Sequence, residues 1–288
     1  MSVSGEITLE RITGNIGAVI GGIDLREPQA PQAVALVRQA LVDHGVIFFR
    51  QQDTSLEQFW AFLENFGHPQ REEIKGTDHD RPSDVQTADM SASRYSTATW
   101  HADTTSLARP PIATALRAAA PPKFGGDTCW SSMYAAWDAL SDPVQQMLTG
   151  LTAVHSIKPT AADMQEYGLI FLADYEQRHG GDHTHPVVVT HPESGRKALY
   201  VSECFTTRIV ELAPAESAAI LAMLFRHIQR PEFTMRWKWS AGDIAFWDNR
   251  SVQHYAVPDY NEARVMQRIV LGGAKPGEPS ALKPATVR

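Results

Sequence analysis

Two stretches far apart along this chain carry side chains that belong together, and its fold must bring them side by side. Trp100-His101-Ala102-Asp103 stands near the middle, and His254 follows 151 residues after Asp103, inside Trp247-Asp248-Asn249-Arg250-Ser251-Val252-Gln253-His254. An H-x-D pair with one remote histidine is the linear trace of a two-histidine, one-carboxylate site. Such a triad covers one face of Fe(II) and leaves positions open for small ligands. On a β-strand residues i and i+2 point to the same face. A strand reading therefore sends His101 and Asp103 into one cavity and requires His254 to come from another strand.

H-x-D alone is a weak motif, and two other spacings compete with it: His183-Thr184-His185 and Asp78-His79-Asp80. Their glycine-rich or charged surroundings make His183 and His79 read as solvated loop residues. His155, His191 and His227 read as hydrogen-bonded structural histidines. Arg264 and Arg268 follow the last histidine of the triad. Four residues apart, they share a face of a regular strand. A guanidinium offers a planar fork of donors that fits carboxylate or sulfonate oxygens. Most arginines are simply exposed, but two on one face beside a metal strand read as an anion clamp.

The net charge is −7 and no basic patch stands out, so no nucleic-acid partner is expected. Positive charge at an anion site must be local. Cys129 and Cys204 are the only cysteines; they form no C-x-x-C pair, which speaks against a disulfide framework or a structural zinc. The first residues lack a basic and then apolar leader, and no apolar run approaches membrane-spanning length. A cytoplasmic protein with no membrane partner is the expectation.

The 288 residues fit one domain, because all-β folds often use that length undivided. Short strands are expected within 6–26, at 46–49, 112–120, 127–131, 185–191, 197–202, 232–239, 243–247 and 265–271. Helical spacing of apolar residues marks 31–44, stopped by Gly45, and 55–66, where Ser55 and Gln58 form a capping-box pattern. Further helices are expected near 132–139, 141–149 and 214–229, with Pro214 in a first turn. Pro192-Glu193-Ser194-Gly195 reads as a hairpin turn. Residues 68–98 and 157–184 show little pattern and read as active-site loops. The whole suggests a mostly β protein with flanking helices, a double-stranded β-helix or jelly roll with an open mouth able to hold a metal.

The motifs together resemble the taurine dioxygenase family of Fe(II)- and 2-oxoglutarate-dependent enzymes, which includes alkylsulfatases and phenoxyalkanoate dioxygenases. The resemblance spans roughly residues 8–275. It is carried by Gly21-Gly22-Ile23-Asp24-Leu25, Trp100-His101-Ala102-Asp103, Gly125-Gly126-Asp127-Thr128, Ser194-Gly195-Arg196-Lys197-Ala198-Leu199-Tyr200-Val201, Phe205-Thr206-Thr207-Arg208-Ile209, Trp247-Asp248-Asn249-Arg250, His254 and Arg264…Arg268.

It implies that His101, Asp103 and His254 ligate iron, and that Arg264 and the Thr128 hydroxyl hold the distal carboxylate of 2-oxoglutarate. It implies that Arg268 binds the anionic group of the substrate with Phe205 packed against it, and that His68 and Thr97 line the substrate site. Dioxygen is the second co-substrate. The reaction implied is hydroxylation of a small organic anion, a sulfonate or an alkyl sulfate ester, with release of sulfite or sulfate, an aldehyde, succinate and carbon dioxide. Carboxylates such as phenoxyalkanoates are the alternative. In taurine-specific members a histidine in the loop after the second helix and an asparagine before the H-x-D help hold the substrate. Here that loop reads Gly67-His68-Pro69, with the histidine displaced, and Thr97-Ala98-Thr99 stands where the asparagine would be. A homodimer or homotetramer is implied. An oxygen-independent jelly-roll isomerase and a non-catalytic ligand-binding protein are the rival readings.

Overall fold

A computed structural model describes residues 6–70, 86–89, 98–156 and 181–278. Two short strands, β1 (Thr8–Arg11) and β2 (Ala18–Gly21), pair antiparallel and lead into helix α1 (Pro31–His44). Pro31 sits in the first turn of α1, where its missing N–H costs nothing. Gly45 ends the helix with φ +72, and its N–H bonds Leu41 O at 2.8 Å. A Cβ at Gly45 would lie 2.5 Å from Val252 Cγ1, so close packing as well as the left-handed backbone demands glycine there. Strand β3 (Val46–Phe49) follows and is buried at all four positions.

Helix α2 (Leu56–Leu63) starts at the expected capping box, with Ser55 and Gln58 each bonded to the other's backbone N–H. It ends three residues earlier than the apolar stripe suggests. Phe66 remains buried because a turn closed by its N–H to Leu63 O carries it onto the same face. Then come β4 (Pro69–Gln70), β5 (Gln86–Asp89), β6 (Pro111–Ala120), β7 (Thr128–Ser132), α3 (Met133–Asp138), α4 (Asp142–Leu148), β8 (Thr152–His155), β9 (His183–Pro186), β10 (Val188–Thr190), β11 (Lys197–Leu199), β12 (Thr206–Ile209) and α5 (Pro214–His227). The chain finishes with β13 (Thr234–Trp237), β14 (Ile244–Asp248), β15 (Val252–Ala256) and β16 (Val265–Gly273).

The main sheet runs β1-β2-β3-β14-β6-β16-β4, with β5 also on β16; facing it is the sheet β13-β7-β15. Period-two alternation splits β3 between two cores. Ile47 and Phe49 point outward and pack with Val37, Leu41, Phe59 and Phe62 of α1 and α2. Val46 and Phe48 point inward, among Trp130, Trp237, Trp247 and Met266 between the two sheets. A third cluster joins Met133, Trp137, Leu199, Val201, Leu221 and Leu224 around α3 and α5. This is the mostly antiparallel double-sheet jelly roll expected from the sequence.

Several boundaries differ from expectation. The segment 185–191 is two strands broken at Val187, and they belong to different small sheets, β12-β8-β9 and β10-β11. His183 opens β9, so the solvated-loop reading of it is corrected: it is half-buried and bonded to Ser106 O. A 3₁₀ turn at Pro231–Phe233 replaces the start of the 232–239 strand, as the fixed φ of proline favours. β4 and β5, inside the expected loop 68–98, and β8 and β12 were not anticipated; none exceeds four residues, too few to show a period. Most of the expected loops 68–98 and 157–184 lies outside the described residues, as does Asp78-His79-Asp80. Among the described residues no helix is long and apolar enough to cross a membrane.

Candidate metal centre and anion pocket

His101 and His254 form a lone antiparallel bridge on the free edge of β15. His101 N–H bonds His254 O at 3.0 Å and His254 N–H bonds His101 O at 2.8 Å. The pairing ends there. The chain turns at once, with Leu107 N–H on Thr104 O, and Thr104 adopts φ +39. The expectation that His101 and Asp103 lie along one strand is therefore corrected. A tight turn, not the strand period, sends both side chains inward. The result is nevertheless convergence: one ligand atom each of His101, Asp103 and His254 lies within 4.8 Å of the others, and all three residues are buried.

The protonation states suit a cation. His101 Nδ1 donates to Thr99 O at 2.7 Å, which fixes the tautomer and leaves Nε2 bare. Burial pushes the His101 pKa down, with Asp103 opposing. Burial and the neighbouring His101 push His254 down to about 3. Burial alone would raise the Asp103 carboxyl, but Arg268, His254, His101 and the Thr114 hydrogen bond together hold it below the usual carboxylate range. At neutral pH the cluster therefore presents two unprotonated imidazoles and one carboxylate, the states that metal binding requires. Mixed nitrogen and oxygen donors, three in number, match the open facial triad rather than a closed structural site.

Asp103 is held on every side. Thr114 Oγ1 on β6 donates to Asp103 Oδ2 at 2.6 Å, and Asn249 Nδ2 donates to Thr114 Oγ1 at 2.9 Å. Asn249 Oδ1 accepts from Asp103 N–H at 3.3 Å and from Trp247 Nε1 at 3.0 Å. Arg268 donates to Asp103 Oδ1 at 2.7 Å. Sequence reasoning assigned no role to Thr114 or Asn249. Thr114, fully buried in an apolar strand, left only a faint signal, a lone hydroxyl among small apolar residues. Asn249 sat unremarked within Trp247-Asp248-Asn249-Arg250.

A second polar cluster gathers around the residue just before β16. Arg264 is 2% exposed. Its Nε donates to Gly126 O at 2.9 Å and its Nη2 to Thr128 Oγ1 at 3.3 Å. Trp239 Nε1 also donates to Thr128 Oγ1, at 3.0 Å. Among the described residues no carboxylate pairs with Arg264. Gly126 has φ +67, and a Cβ there would lie 3.1 Å from Arg264 Cδ, so glycine gives the guanidinium its berth. Arg264 lies one residue before β16, and the pairing with β6 slips between Val265 and Met266, so the expected sharing of one regular strand face by Arg264 and Arg268 is corrected; Met266 between them is buried among the inter-sheet tryptophans.

The Phe205 ring lies 6.4 Å from that of His101. His68 is exposed; its carbonyl accepts from Gly272 N–H, and no contact joins its ring to the triad among the described residues. Thr97 lies outside them. His191 and His227 are bonded as structural residues, His191 Nε2 to Asp248 Oδ2 at 3.0 Å and His227 Nε2 to Ala136 O at 2.8 Å.

Comparison with known proteins agrees with this geometry. Residues 8–270 match the family described as taurine catabolism dioxygenase TauD, TfdA family. An alpha-ketoglutarate-dependent sulfate ester dioxygenase of Pseudomonas putida is 36% identical over 94% of this chain and 91% of its own. An alkylsulfatase of Acinetobacter baylyi is 35% identical over 93% of this chain and 86% of its own. The crystal structure of a taurine dioxygenase from Burkholderia xenovorans superimposes with a TM-score of 0.79 at 34% identity, covering 98% of this chain and 99% of that one. With a buried His-Asp-His cluster in a jelly roll, the chain belongs to the TauD/TfdA family of dioxygenases, which use Fe(II), 2-oxoglutarate and dioxygen.

Proposed function

We propose that this protein hydroxylates a small organic anion, an alkyl sulfate ester or a sulfonate, at the carbon bearing the sulfur-containing group. The hydroxylated product then collapses to an aldehyde and releases sulfate or sulfite. His101, Asp103 and His254 hold the iron. Arg264 and Thr128 hold the distal carboxylate of 2-oxoglutarate. Arg268 takes the anionic group of the substrate, with Phe205 packed beside it, and His68 and Thr97 are read as further substrate-binding residues.

The observation that carries this reading is the state of Arg264 and Thr128. A hydroxyl offers two lone pairs and one proton. Both acceptor sites of Thr128 Oγ1 are engaged, by Arg264 and Trp239, so its O–H is left to donate. Arg264 is a buried cation without an acid partner among the described residues. A buried charge is costly unless paired, and a guanidinium beside a free O–H is complementary to a carboxylate.

Bound iron, with 2-oxoglutarate and dioxygen, supplies the hydroxylating chemistry. The chain binds the two anions, orients them and keeps water from the buried triad. The names of the Pseudomonas and Acinetobacter relatives favour the sulfate-ester arm. The whole chain is read as one catalytic domain, cytoplasmic, assembled as a homodimer or homotetramer.

The test is aerobic incubation with Fe(II) and 2-oxoglutarate across alkyl sulfates, alkyl sulfonates and phenoxyalkanoates, with succinate, sulfate, sulfite and oxygen uptake measured. Stoichiometric succinate and sulfate, or succinate and sulfite, support the reading. Succinate coupled only to phenoxyalkanoates moves the substrate to the carboxylate class. Product formation without oxygen uptake overturns the dioxygenase assignment.

A further inference from the structure

Three histidines outside the ligand set converge on the turn that follows Asp103. His155 lies on β8, His183 and His185 on β9, and His155 pairs in register with His183. His155 Nδ1 is 2.9 Å from Thr105 Oγ1. His183 Nδ1 donates to Ser106 O at 2.8 Å. His185 Nε2 donates to Thr105 O at 2.9 Å and to Leu107 O at 3.0 Å. Residues 105, 106 and 107 are thus each held by an imidazole. The His155 and His185 rings lie 5.1 Å apart, with Tyr200 beside both at 5.8 and 5.9 Å.

The turn they hold is one the chain does not favour on its own. Thr104 has φ +39, and a β-branched residue in the left-handed region is strained. Such strain persists only where the surroundings over-determine it. Thr104 is bonded directly to Asp103. One side of Asp103 is fixed by Asn249 Oδ1 on its N–H; the imidazoles fix the other side through the backbone. A carbonyl only accepts, so His183 Nδ1 and His185 Nε2 must carry their protons.

We propose that His155, His183 and His185 are positioning residues for the metal centre, a clamp that holds the strained turn at Thr104 and so sets the carboxylate of Asp103. This rests on the reading of His101, Asp103 and His254 as the iron ligands. The three histidines touch neither metal nor substrate; they act through residues 105–107.

The experiment titrates Mn(II) alone into the full-length protein by calorimetry, without 2-oxoglutarate, and records the visible absorption of the Co(II) form. His185→Leu removes both carbonyl bonds. Its Mn(II) affinity is expected to fall ~10–100-fold, the range for loss of an outer partner of a metal ligand, and its Co(II) spectrum to depart from wild type. His185→Gln keeps an N–H donor for the carbonyls and is expected to return to within about threefold of wild-type affinity. A merely structural histidine would lower the thermal midpoint and leave the affinity and Co(II) spectrum of the folded protein unmoved. If His185→Leu does not fold, His183→Ala at the half-buried start of β9 carries the same expectation, at ~3–10-fold. Wild-type Mn(II) affinity in the folded variant overturns the clamp. Asp103→Ala is measured alongside. Loss of Mn(II) binding there keeps the iron-site reading whatever the clamp variants do, and unchanged binding overturns both.

Discussion

Thr114 donates its hydroxyl to Oδ2 of Asp103 at 2.6 Å, from the main sheet to the turn eleven residues before it. The bond joins the rigid part of the fold to the one carboxylate of the metal cluster. Asn249 closes the unit by donating to the same hydroxyl at 2.9 Å while accepting from Asp103 N–H.

Thr114→Val keeps the shape of that side chain and removes the proton. Asp103 Oδ2 and Asn249 Nδ2 then lose their partner in a buried place, at ~1–3 kcal/mol of stability. Metal affinity is expected to fall about 10–100-fold, read by Mn(II) calorimetry on the purified protein. Unchanged affinity would mean that Arg268 and the backbone hold Asp103 without help.

Arg264→Met trades a buried cation for an apolar side chain of similar reach. Burial lowers the Arg264 pKa, which shows that the folded state disfavours the charge. The substitution is therefore expected to raise the thermal midpoint of the ligand-free protein, by a stability on the order of 1 kcal/mol. It is also expected to raise the apparent KM for 2-oxoglutarate about 30-fold or more, the factor that ~2 kcal/mol represents when a buried charge loses its partner. Steady-state kinetics with each substrate varied in turn decides the role. A larger effect on the organic anion than on 2-oxoglutarate would exchange the assignments of Arg264 and Arg268.

His155 gives the stability a defined pH dependence. Burial, with His185 beside it, depresses its folded pKa from 6.5 to about 3. Between those values the unfolded chain binds a proton that the folded protein does not, so stability is full above pH 6.5 and falls as the pH drops below it. From pH 7.5 to 5 this one group removes about 2 kcal/mol. Urea unfolding of the metal-free protein at several pH values should show His155→Phe losing that share of the slope. Parallel pH profiles for variant and wild type would count against a depressed pKa.

Arg250 anchors the end of β14. It bonds Asp248 through Nε and Nη2 and also reaches Glu193, while His191 bonds the same Oδ2 that accepts from Arg250 Nη2. Burial would raise the Asp248 carboxyl, yet Arg250 and His191 hold it below the usual range. Arg250→Met leaves that fully buried carboxylate without its strongest partner and is expected to cost about 3–5 kcal/mol in denaturant unfolding. A cost under about 1 kcal/mol would show that His191 alone suffices.

The sequence by itself determined the local elements and the chemistry of the ligands. Periodicity and caps placed α1, α2 and α5 and most strands within a few residues, because an apolar stripe, a Ser55–Gln58 box or Gly45 acts over one or two turns of chain. The H-x-D spacing with a remote histidine made His101, Asp103 and His254 candidate metal donors, and the family resemblance added the carboxylate-holding role of Arg264. Tertiary structure decided how they meet. The H-x-D pair converges through a strained turn rather than along a strand, because only His101 finds a partner on β15 and the turn is braced from β8 and β9. Thr114, Asn249 and the three histidines around residues 105–107 have no motif in common. Their role arises from hydrogen bonds between segments distant in sequence, and such bonds depend on sheet register and the direction of a side chain, which no local pattern records.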